Sequence, residues 1–105
     1  MDLNTHHELL DVLTREYLRQ EASITFTQWD TESEDEEVTT FRAVLTEIRL
    51  TDNEFGEKDL FLLFEADGDE VEILMEIPAE ESDLGAFAEG RLQIFGLEAE
   101  AILER

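Results

Sequence analysis

The chain has 105 residues, of which 29 are Asp or Glu and only 7 are Lys or Arg, so its formal charge is −22. A basic face for nucleic-acid phosphates or for an anionic membrane is thereby excluded, because counterion release needs clustered Lys and Arg. The absence of Cys excludes disulfides, thiolate nucleophiles and Cys-ligated zinc.

A single domain over residues 1–105 is expected, since the length suits one domain and 42% hydrophobic residues suffice for one core. The apolar residues recur in periodic runs, which a disordered acidic tail would not show. No apolar run approaches the roughly 18–20 residues of a membrane span. The N-terminal stretch carries Asp2 and no basic segment, so it does not read as a signal peptide, and a cytoplasmic location is expected.

The first predicted element is a helix from Thr5 to Gln20. Thr5 and Glu8 have capping-box spacing, and Leu9, Leu10, Leu13 and Tyr17 form a helical apolar stripe. From Ala22 the period changes to two. Ser23–Trp29 and Val38–Leu50 read as strands, rich in β-branched and aromatic residues. In the second of these the inward positions pass from Phe41, Ala43 and Leu45 to Ile48 and Leu50, which predicts a bulge near Thr46.

Asp67-Gly68 predicts a two-residue hairpin turn, both positions of which need positive φ. The register that follows pairs Phe64 with Val71, Leu62 with Ile73 and Leu60 with Met75 on one face. On the other face Phe61 opposes Leu74, Leu63 opposes Glu72, Glu65 opposes Glu70 and Asp59 opposes Glu76. A second layer, the N-terminal helix, is expected over Phe61, Leu63 and Leu74. Pro78 ends the strand. Ala79–Gly90 reads as an acidic connection with one helical turn around Asp83–Glu89, and Arg91–Phe95 as a further strand. Residues 97–104 alternate as a bulged continuation of it, although Ala, Glu and Leu also favour helix.

The expected fold class is therefore α+β, an N-terminal helix followed by about five mostly antiparallel strands in a bent sheet or small barrel. That element order resembles small barrels of the SH3 and Sm-like kind. No Sm-type RNA-binding signature accompanies it, and fold alone does not give function.

Catalytic constellations are weak. Ser23, Ser33 and Ser82 stand in no nucleophile-elbow context, and no Gly-rich phosphate loop occurs, so a non-enzymatic protein without a cofactor is expected. His6 and His7 point about 100° apart on a helix, which disfavours one shared ion and reads as two exposed histidines at a helix start. Asp67, Asp69 and Glu70 are accounted for by the hairpin. Asp52, Asn53, Glu54 and Glu57 form an acidic loop suited at best to weak divalent-cation binding.

The distribution of the acid is more informative than its sum. Residues 31–40 carry −5 and residues 67–90 carry −9, with no Lys or Arg between Lys58 and Arg91. The candidate partner-binding residues are Glu70, Glu72, Glu76, Glu80, Glu81 and Asp83, together with Glu32, Glu34, Asp35, Glu36 and Glu37 at the polar tip between the first two strands. Rows of like charge cost stability in a sheet, roughly 0.2–1 kcal/mol per opposed pair. Three explanations compete: a basic partner protein, in its sharper form one for which the carboxylates mimic nucleic-acid phosphates; a high-salt host that screens the repulsion; or an acidic domain whose contact surface lies elsewhere, for instance at Trp29.

Overall fold

Thr5 caps the first helix as its spacing with Glu8 predicts: the Thr5 hydroxyl accepts the Glu8 N–H at 3.1 Å, and the Glu8 carboxylate accepts the Thr5 N–H at 3.1 Å. The α-helix so started is short, α1 (His6–Val12). Residues Leu13–Tyr17 wind more widely as a π turn, with the Leu18 N–H donating to the Leu13 carbonyl at 2.9 Å. Leu18 is then extended and Arg19 left-handed at φ 66°, because the Arg19 N–H donates to the Leu45 carbonyl at 2.8 Å. The helix expected to reach Gln20 is therefore corrected. The apolar stripe is real, but a strand captures the chain before the stripe can continue as helix.

A computed structural model describes residues 1–30, 32 and 35–105. The strands are β1 (Asp2–Leu3), β2 (Glu21–Trp29), β3 (Glu36–Asp52), β4 (Lys58–Ala66), β5 (Asp69–Ile77), β6 (Gly85–Ala88), β7 (Arg91–Phe95) and β8 (Ala99–Glu104). All lie in one sheet of order β1-β6-β7-β8-β2-β3-β4-β5, each neighbour antiparallel. The sheet is not closed; β1 and β5 are its edges. The expectation of an α+β fold with about five strands and a substantial helix, and with it the small-barrel resemblance, is overturned. Over the described residues the protein is a mostly antiparallel eight-stranded sheet with one short helix.

Three segments account for the miscount, the first being Asp2–Leu3, which forms β1 where no strand was expected. The connection expected to hold a helical turn instead forms β6, which pairs with both β1 and β7. The chain also reverses after Phe95 rather than continuing, so β8 runs antiparallel to β7 and then pairs with β2. Gly96 permits this reversal: a Cβ there would stand 2.6 Å from the Ala99 carbonyl oxygen and 2.9 Å from that of Glu76.

The hairpin register agrees with the expectation at every pair from Asp59↔Glu76 to Glu65↔Glu70. The ladder of β3 with β4 shifts between Leu45 and Glu47, where the parity change places a bulge. The core, however, lies on one side only. Leu60, Leu62 and Phe64 of β4 are fully buried together with Leu9, Leu13 and Tyr17. The second layer expected over Phe61, Leu63 and Leu74 is absent among the described residues, and Leu74 is 60% exposed. Phe61 is instead roofed by the Arg49 guanidinium at 4.5 Å. Tyr17 anchors the π turn by donating its hydroxyl to the Gly90 and Leu103 carbonyls at 2.9 and 3.0 Å. Burial pushes that phenol up to about 12, against the opposing pull of Arg105.

Candidate functional site

Alternation along β5 puts Glu70, Glu72, Leu74 and Glu76 on the outer face, opposite the core residues Ile73, Met75 and Ile77. Glu70 and Glu72 are exposed and have no cation partner among the described residues. Glu76 is different. It faces Asp59, and the Asn53 side-chain amide donates to both carboxylates, at 2.8 Å to Glu76 and 3.1 Å to Asp59. The Asn53 carbonyl oxygen accepts the Phe55 and Glu57 N–H groups at 2.9 and 3.0 Å, so the amide is oriented by its own loop. A pair expected to be purely repulsive is thus bridged.

Glu81 is also committed to the fold. Its carboxylate accepts the His6 N–H at 3.0 Å and lies 3.9 Å from His6 Nδ1, while His6 Nε2 donates to the Pro78 carbonyl at 2.9 Å. His6 is buried, correcting the expectation of two exposed histidines; His7 alone is exposed. Glu80 and Asp83 are exposed, and the Asp83 N–H donates to the Asn4 side chain at 3.0 Å. Of the tip residues, Glu32, Asp35, Glu36 and Glu37 are exposed, and Glu34 lies outside the described residues. The tip is closed by the Asp30 N–H donating to the Asp35 carbonyl at 3.1 Å.

Curling of the sheet brings this tip to the far edge strand. A shallow groove of about 340 Å³ lies between Trp29, Asp30, Asp35, Glu36 and Glu37. A second, of about 210 Å³, runs from Trp29 past Glu98 to Leu74 and Glu76. A third, of about 470 Å³, passes from Leu74 and Glu76 to Asp59, Asn53, Glu54 and Phe55. Trp29 belongs to the first two and Leu74 to the last two, so the three form one band. Its apolar points are Trp29, Leu74 and Phe55, the last 75% exposed, and carboxylates flank each of them.

The band unites Glu76 with Asp35, Glu36 and Glu37. Glu70 and Glu72 lie outside the grooves, farther along the same face of β5, with Glu70 roughly 20 Å from Glu76. Glu80, Glu81 and Asp83 line none of these grooves. Sequence reasoning missed Asp30, Phe55 and Glu98 as site members. An aromatic residue inside an acidic loop was the available signal for Phe55; Glu98 had none, because its neighbours in space are remote in the chain.

Six of the seven basic residues pair with carboxylates elsewhere: Arg15 with Asp11 and Glu16, Arg42 with Glu21, Arg49 with Glu47, Lys58 with Asp52, Arg91 with Glu104 and Arg105 with Glu16. No cation reaches a carboxylate of the band among the described residues. Nor do three or more His, Asp or Glu side chains there converge as a metal site would require. No described helix is long and apolar enough to cross a membrane. Comparison of the chain with protein-family models, curated proteins and solved structures finds no match in any of the three.

Proposed function

We propose that this protein is a non-enzymatic interaction module that binds a basic partner protein through the band from the β2–β3 tip to the β3–β4 loop and along the outer face of β5. The observation that carries the reading is the segregation of charge: six of the seven basic residues are paired elsewhere, while the carboxylates around Trp29, Leu74 and Phe55 keep their field. Such a field speeds encounter with a basic surface and selects against acidic ones. The exposed Leu74 and Phe55 and the half-buried Trp29 supply contact area that charge alone lacks, and aromatic anchors are the usual centres of binding energy. Mimicry of nucleic-acid phosphates is the special case in which the partner is a nucleic-acid-binding protein.

The test is capture from host lysate at low and high salt by the wild-type chain and by Glu36→Lys/Glu72→Lys, which changes two exposed carboxylates with no bonded partner among the described residues. Basic proteins that bind the wild type, release at high salt and associate about tenfold more slowly with the variant are expected. Equal retention of the same proteins by both chains would reject the surface.

A further inference from the structure

We infer that the free edge of β5 accepts an extended basic segment as an added strand, so that the partner is held by backbone pairing as well as by charge. The inference rests on the acidic-surface reading and specifies how that surface is occupied. Among the described residues β5 pairs only with β4, and β5 ends the sheet. The direction of its backbone groups follows from one bond: the Glu76 carbonyl accepts the Leu97 N–H at 2.9 Å, outside the β4 ladder. In an antiparallel strand the N–H and C=O of one residue point the same way, and the direction alternates along the chain. The N–H and C=O groups of Glu70, Glu72 and Leu74 therefore point outward from the sheet.

The residues that offer these groups are the same ones whose side chains stand on the outer face. An added strand is thus matched twice, by its backbone to the edge and by alternate Lys or Arg side chains to Glu70 and Glu72, the arrangement by which peptides extend sheets. A second copy of this chain is a poor occupant. Antiparallel self-pairing centred on Glu72 would set that carboxylate against its counterpart, and like charges directly opposite are unfavourable. Charge on an edge also guards against self-association, and that role is compatible with a basic guest.

The experiment titrates the intact protein at low salt with a short peptide alternating Lys and Val, and with the same peptide N-methylated on every backbone amide. Both carry the same charge; only the first can pair along an edge. The expected result is slowed amide exchange at Glu70, Glu72 and Leu74 with the first peptide, and binding weaker by about tenfold or more with the second. Equal binding of the two peptides with unchanged exchange at those amides would overturn the added strand and leave the acidic surface standing. Failure of both peptides to bind would remove both readings. Protection of the same amides without peptide, in a chain that sediments as a dimer, would make a second copy the occupant and overturn the basic guest.

Discussion

Asn53 shows how one neutral side chain makes a crowded acidic surface tolerable. Its oxygen is held by two loop N–H groups, so its two amide hydrogens face Glu76 and Asp59 as donors. Asn53→Asp keeps the oxygen that accepts the loop N–H groups but places a third carboxylate where the donors were. The expected cost is about 1–3 kcal/mol, from one lost charge-assisted bridge and new repulsion. Urea unfolding would show it, with the penalty shrinking as salt is added; an unchanged midpoint at low salt would mean that the bridge contributes nothing. His6 and Glu81 make the complementary point. A carboxylate that looks like part of an interaction row in the sequence is spent on holding the helix start, so Glu81→Gln is a stability variant before it is a binding variant.

Gly96 and Gly85 carry element-scale consequences. At Gly96 an added methyl would stand 2.6, 2.8 and 2.9 Å from the Ala99 oxygen, Met75 Cε and the Glu76 oxygen, two of them backbone atoms that cannot yield alone. Gly96→Ala is expected to cost about 2–3 kcal/mol, read as a lowered thermal midpoint; a midpoint within a degree of wild type would show that the turn relaxes freely. At Gly85 a Cβ would lie 2.4 Å from the Gln93 oxygen, which is why β6 can approach β7 there. These close approaches explain where sequence reasoning succeeded. The β4–β5 hairpin and the β3 bulge were legible because Asp67-Gly68 and the parity change at Thr46 are local signals. β1, β6 and the separation of β7 from β8 were not, because two to five residues leave too little periodicity and their pairing depends on distant backbone. The helix was overextended for a related reason: Leu13 and Tyr17 fit the helical stripe, but the Arg19–Leu45 bond ends it. The site was half legible. Charge runs pointed to the tip and to β5, whereas their meeting at Trp29 depends on the curl of the whole sheet.

At the scale of the molecule, −22 charges on one curled sheet raise the question of how it stays folded. Seven ion pairs made by six basic residues and the Asn53 bridge answer part of it, and a largely buried apolar inner face answers more. The chain is therefore expected to be folded at 0.1 M salt, with well-dispersed amide resonances, and to gain on the order of 1–2 kcal/mol toward 1 M as the Debye length falls from about 10 to 3 Å. An expanded chain at 0.1 M that folds only near molar salt would favour a high-salt host over a basic partner. The walls of the middle groove have an unexpected dependence. The Trp29 N–H donates to the Glu98 carbonyl at 3.1 Å, and the Leu97 N–H reaches the Glu76 carbonyl at 2.9 Å. Two adjoining residues thus act as a spacer between walls drawn from β2 and β5. The width of the groove is set by that turn, so a change at Gly96, which carries no charge and need touch no partner, would retune recognition while every carboxylate stayed in place.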